Sequence, residues 1–181
     1  MLKDDRVKKL YPILLITLVL LISVSILVTL ESITRSAIVA RNDQETLGLL
    51  QRIFPEASFY TFYEDTEIYA LYNEGRKEIG YAFYGSSRGY ITDIVVLIGL
   101  EDTVTIRNII VTQQYESYSY WDRLESDFFE QFIGLKIEDC VLKRYGYEGG
   151  GVDAATGATY SSRGVVNAVR EAALEKIKYL N

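Results

Sequence analysis

Tyr90–Thr112 reads YITDIVVLIGLEDTVTIRNIIVT. Its first half, Tyr90–Gly99, includes an unbroken apolar stretch of the kind found in a strand covered on both faces. Glu101-Asp102 supplies a turn, and Val104–Thr112 pairs back as the second arm of a hairpin. Upstream, three runs rich in Tyr, Ile and Val read as strands: Ser58–Tyr63, Glu67–Tyr72 and Glu78–Tyr84. Gly85-Ser86-Ser87-Arg88-Gly89 reads as a turn before the hairpin. Downstream, Trp121, Leu124, Phe128 and Phe132 recur at helical spacing within WDRLESDFFEQFIGL, a core-facing stripe that ends at Gly134. Cys140–Arg144 reads as a further strand and Gly146–Gly151 as a loop. Ser162–Leu180 is an amphipathic helix with Val165, Val169, Ala172 and Ile177 on one face. The expectation is a single α+β domain with antiparallel strands and a closing C-terminal helix over residues 56–181.

The segment before it differs in kind. Leu10–Leu30, LYPILLITLVLLISVSILVTL, carries no charge, and 21 residues of helix at about 1.5 Å each span roughly 30 Å, the hydrocarbon thickness of a bilayer. No A-x-A cleavage pattern closes it, so it reads as an uncleaved transmembrane anchor. Lys3, Arg6, Lys8 and Lys9 precede it, which places residues 1–9 in the cytoplasm and everything after Leu30 outside the membrane. Residues 31–55 read as a juxtamembrane helical stalk, with Ile38, Leu47, Leu50 and Ile53 available for packing and Pro55 ending it.

Composition excludes much. The chain of 181 residues has a net charge of −6, which argues against nucleic-acid binding. With no histidine and one cysteine, it cannot build a zinc site, a cysteine-ligated iron–sulfur cluster or an internal disulfide. Cys140 reads as a buried strand thiol.

Within that frame, Asp153–Ser162 (DAATGATYSS) gathers hydroxyls before the last helix in a chain that has no histidine to activate them. Capping explains part of this: Ser161 or Ser162 can accept from free amides at the helix start, although no capping box follows, since Val165 stands where Glu is expected. A helix N-terminus also suits a phosphate, with donors from Ser161, Ser162 and Arg163 and close backbone approach at Gly157 and Ala158.

Asp153-x-x-Thr156-Gly157-Ala158-Thr159-x-Ser161 resembles the D-x-x-[S/T]-G-A-T-x-[S/T] signature of covalent FMN-binding domains. These occur in the G subunit of Rnf-type ion-translocating electron transport complexes and in the C subunit of the sodium-pumping NADH:quinone oxidoreductase. The anchor, the hairpin and the closing helix follow the family's order, and the short chain looks more like the Rnf G subunit. The resemblance implies FMN joined to Thr159 through a phosphodiester bond and installed from FAD by a separate flavin transferase, which supplies the missing base. It implies that Thr156 and Ser161 hold the phosphate or the turn, with Gly157, Ala158 and Ser162 beside them, and that Asp153 orients the loop or is read by the transferase. Of the family's E-T-P-G-L-G loop only Glu116 matches, in ESYSYW, where Tyr118 and Tyr120 are the candidates to stack on the flavin ring. The implied function is a membrane-anchored flavoprotein electron carrier in an ion-translocating ferredoxin:NAD oxidoreductase complex. Its partners are the other subunits, and it is an electron-transfer subunit and not an enzyme by itself. The alternative is an anchored assembly or sensory module of a redox complex that binds no flavin.

Overall fold

A computed structural model describes residues 15–27, 43–124, 126–143 and 151–180. The chain divides into two units, Met1–Thr46 and Leu47–Asn181. In the first, residues 15–27 form a helix whose large apolar side chains, from Leu15 to Leu27, are all exposed. Among the described residues no helix is long and apolar enough to cross a membrane. Residues 10–14 and 28–30 of the expected span lie outside them, as do Ile38, Arg144 and most of the Gly146–Gly151 loop.

The second unit is built on a five-stranded antiparallel sheet in sequence order: β1 (Phe59–Tyr63), β2 (Ile68–Tyr72), β3 (Glu78–Arg88), β4 (Asp93–Leu100) and β5 (Ile106–Gln113). The sheet and the closing helix bear out the α+β reading. β4 is the strand that the unbroken apolar run predicts. Ile94, Val96, Ile98 and Leu100 face one core cluster, and Leu97 faces a second with Leu50, Ile53, Phe54 and Leu71. Every one of these side chains on β4 is fully buried, so both faces of the strand are covered. The end of the expected stalk is thus part of the domain core. A helix over residues 43–51 delivers Leu50, and Pro55 follows shortly after.

The closing helix, Thr159–Lys176, packs across β3 and β4 and supplies Val165, Val166, Ala168, Val169 and Ala173 to the larger cluster. Two glycines permit this approach. A Cβ on Gly85 would lie 2.3 Å from the Ala168 carbonyl oxygen, and one on Gly164 would meet the Arg88 oxygen and Gly89 Cα at 3.0 Å. At its far end Lys176 Nζ donates to the Thr66 carbonyl at 2.7 Å and to Glu67 at 3.2 Å, which ties the helix to the β1–β2 turn.

Three expectations need correction. Gly85–Arg88 is not a turn: β3 continues through it, pairing Gly85 with Val96 and Arg88 with Asp93. Gly85 serves helix packing, and the reversal falls at 89–92, where Gly89 N–H donates to the Thr92 carbonyl at 2.8 Å. The stripe from Trp121 to Phe132 is not one helix: Trp121 ends a short helix, Tyr118–Trp121, Phe128 lies in another, Ser126–Glu130, and Leu124 and Phe132 lie in the bends after them, although Leu124, Phe128 and Phe132 are core as expected. Cys140 is buried, but it follows a 3₁₀ turn, Ile137–Asp139, and sits in no strand. Burial pushes its thiol up to about 12, with Arg170 opposing the shift.

Candidate functional site

The DAATGATYSS segment enters the closing helix across a turn that its own residues dictate. Gly157 has φ +79°, a left-handed conformation that glycine adopts without a Cβ penalty. Ala158 is the N-cap and has no side chain to cap with, and Thr159 is the first helical residue. The first backbone bond of the helix runs from the Ser162 amide to the Ala158 carbonyl at 2.9 Å. The amides of Thr159, Tyr160 and Ser161 therefore form the unpaired donor end that every α-helix starts with. Thr156, Gly157 and Thr159 are exposed at this end, with the Thr159 side chain open to solvent.

Ser161 and Ser162 do not cap the helix as expected, because it begins before them. Both are buried within its first turn. Ser162 Oγ donates back to the Ala158 carbonyl at 3.0 Å and accepts from the Ala155 amide at 3.1 Å, which closes the TGAT turn upon itself. Ser161 Oγ donates to Glu116 at 2.5 Å. Neither hydroxyl proton faces the solvent side of the helix start, where Thr159 lies.

Glu116 is the hub of the site. Only 8% exposed, its carboxylate accepts from the amides of Tyr90 (3.0 Å), Ile91 (2.8 Å) and Thr92 (3.4 Å) as well as from Ser161. Burial by itself would raise its pKa. Hydrogen bonds from Ser161 and from the three amides outweigh that and hold the carboxyl below its ordinary value. One side chain thus locks the β3–β4 turn, its own loop and the helix start together.

Asp153 stands apart from this hub. Its carboxylate pairs with Lys143 Nζ at 3.0 Å, and its amide donates to Gln131 Oε1 at 2.7 Å, so it anchors the start of the loop. Asp153 and Glu116 carry the site's engaged negative charge. Arg163 leans over the Tyr160 ring, 5.7 Å from its centroid. The two tyrosines of ESYSYW part company. Tyr118 is 81% exposed, whereas Tyr120 packs on Tyr90 at 5.1 Å between ring centroids, and Tyr90 in turn meets Tyr160 at 6.0 Å. A half-exposed shelf of three tyrosines therefore flanks Thr159. Trp121 turns inward against Phe129.

Tyr90 and Tyr160 escape a reading of the sequence. Tyr160 is visible there only as the unassigned position of the motif. Tyr90 joins the site through the turn at 89–92, which the sequence places one segment too early.

Residues 89–174 match the family model described as the FMN-binding domain, which bears out the resemblance read from the motif and spans the whole site. The G subunit of the ion-translocating oxidoreductase complex of Escherichia coli O157:H7 is 35% identical over 91 residues, covering 48% of this chain and 44% of that protein. The protein of the same name from Pasteurella multocida is 25% identical over 202 residues, covering 99% and 98%. The chain thus aligns with less than half the length of the Escherichia coli relative. The crystal structure of Shewanella oneidensis NqrC superposes with a TM-score of 0.49 at 17% identity, over 68% of this chain and 72% of that one.

Proposed function

We propose, with the FMN-binding domain of residues 89–174 as the premise, that this chain is the flavoprotein subunit of a membrane-bound, Rnf-type ion-translocating ferredoxin:NAD oxidoreductase complex and carries FMN on Thr159 through a phosphodiester bond. One observation carries the reading: within D-x-x-T-G-A-T-x-S, Thr159 is an exposed hydroxyl residue at the first position of the closing helix, next to its unpaired amides. The names of the relatives support its place in such a complex.

The residues present fit the cofactor. Thr159 offers the hydroxyl, and the amides of the first helical turn and the positive end of the helix dipole suit a phosphate. Gly157 makes the left-handed turn, and Ala158 at the N-cap adds no polar or bulky side chain to the helix start. Ser162 holds the turn, and Ser161 with Glu116 fixes the helix start against the 89–92 turn. Thr156 lies exposed beside the phosphate position, and Asp153 anchors the loop from its far side. The tyrosine shelf offers an aromatic, partly wet surface against which a further ring can pack, with Tyr120 inside it. FMN, when bound, supplies one- and two-electron exchange, and the chain supplies its position.

Attachment needs a partner enzyme. Thr159 Oγ forms the new bond to the flavin-side phosphorus of FAD as the pyrophosphate bond breaks and AMP leaves. The hydroxyl proton passes to a base on the transferase, because this chain has no histidine to take it. The helix at 15–27, apolar and exposed all round, supports Leu10–Leu30 as the anchor, with residues 1–9 cytoplasmic. Protease added to spheroplasts should then digest the domain and spare the N-terminus; a protected domain refutes this orientation.

The test of the tether is intact-mass analysis of the chain produced together with a flavin transferase. The wild type should gain the mass of FMN less water, and Thr159→Val should lose it while keeping its melting temperature, because the side chain is exposed. Flavin that survives the substitution places the tether elsewhere.

A further inference from the structure

The turn that leads into Thr159 is covered by a cation from outside the attachment motif. Arg123 comes from the bend between Tyr118–Trp121 and Ser126–Glu130. Its Nη1 occupies the space of an absent side chain: a Cβ built on Gly157 would lie 1.8 Å from it. The glycine of the motif is required for its φ of +79°, and its missing Cβ leaves the guanidinium room to lie over the turn. Arg123 is exposed, and it has no hydrogen bond or ion pair among the described residues. The two carboxylates described at the site do not claim it. Glu116 is filled by three amides and Ser161, and Asp153 is taken by Lys143. The other arginine at the helix start, Arg163, sits on Tyr160. A guanidinium lying against a backbone turn, with Glu116 and Asp153 engaged elsewhere, is open to an anion that arrives from outside the chain.

We propose that Arg123 is the phosphate-positioning residue of the flavin site, its guanidinium pairing with the non-bridging oxygens of the phosphate esterified to Thr159. The proposal rests on Thr159 being the attachment point. A phosphodiester keeps one negative charge and two non-bridging oxygens, which match the planar fork of an arginine. That charge would otherwise share the site with the carboxylates of Glu116 and Asp153. Arg123 offsets it, and by fixing the phosphate it sets the direction in which the ribityl chain leaves Thr159. Lysine at this position keeps the charge but not the two-pronged geometry.

The test uses the full chain produced with a flavin transferase, comparing wild type, Arg123→Gln, Arg123→Lys and Thr159→Val. Attachment is followed by intact mass at limiting transferase, and the bound phosphate by its ³¹P resonance in the purified protein. Losing a charge-assisted hydrogen bond should slow attachment on the order of tenfold or more in Arg123→Gln. Its ³¹P resonance should move, while Arg123→Lys recovers most of the rate but not the wild-type resonance. Circular dichroism melts of the unloaded variants confirm that the fold is kept. Wild-type flavin on Thr159 together with an unchanged rate and resonance in Arg123→Gln overturns the role of Arg123 and leaves the tether standing. A slowed rate with an unmoved resonance also overturns it, because Arg123 would then be recognised by the transferase and not pair with phosphate. A wild type with no flavin on Thr159 removes the tether and this role together.

Discussion

Replacing Glu116 with glutamine tests whether one buried carboxylate holds the site together. Oε1 accepts from the amides of Ile91 and Thr92, and Oε2 accepts from the Tyr90 amide and the Ser161 hydroxyl. A carboxylate can satisfy four donors, but an amide side chain cannot. If the glutamine nitrogen takes the place of Oε2, the Ser161 hydroxyl can turn round and accept from it, but the Tyr90 amide then faces a donor. One backbone donor is orphaned and the remaining bonds lose their charge assistance, a cost of about 2 kcal/mol. Alanine strips all four donors of their acceptor, on the order of 4 kcal/mol less whatever water restores. Urea unfolding of the full chain, followed by circular dichroism, measures both. The sign of the pH dependence is fixed as well. The folded carboxyl is held below the ordinary 4.5, so its contribution is complete above that value and is lost as pH falls through the depressed folded pKa. The gap between wild type and Glu116→Gln should therefore be full at pH 7 and shrink below pH 4.5. Equal stability at pH 7, or a gap that ignores pH, would refute the account of Glu116 as an ionised hub.

Two further outcomes follow from packing. If the tyrosine shelf receives the flavin ring, Tyr120→Ala should brighten FMN fluorescence nearly as much as the Tyr118/Tyr120 double substitution, because Tyr120 stands against Tyr90 while Tyr118 is 81% exposed. A Tyr118→Ala variant that brightens it equally would place the ring outside the shelf. Cys140, buried and with its thiol pushed up to about 12, should resist maleimide in the native chain at pH 8 and react in denaturant. Rapid native labelling would contradict its place in the core.

The parts of the fold that can be read in advance are those fixed by hydrophobic pattern. The run Ile94–Leu100 announces a strand buried on both faces, and Leu124, Phe128 and Phe132 announce a core stripe whether or not the helix that carries them is continuous. What misleads is glycine. Gly85 looks like a turn residue, but its missing Cβ makes room for Ala168 on the closing helix, a demand that arises only when distant segments meet. The attachment motif is legible because its spacing is local. Its support is not: Glu116 reaches Ser161 across 45 residues, and nothing in either neighbourhood specifies the other. Arg123 is equally silent, since an arginine within a charged helical stretch is most often a solvated side chain.

The sheet order has a temporal meaning. Each strand pairs with its immediate successor, so the sheet can form progressively as the chain emerges from the ribosome, with little search between remote segments. The closing helix breaks that pattern, because it contributes to the main core from the last part of the sequence and brings Ser161 to a carboxylate made much earlier. Thr159 can be displayed at an ordered helix start only once residues 159–176 have been made and this helix has docked. A modifying enzyme that acts on the displayed hydroxyl would therefore discriminate molecules whose closing helix has docked from those in which it has not. A group on Thr159 would then be a record that this helix had docked on the sheet.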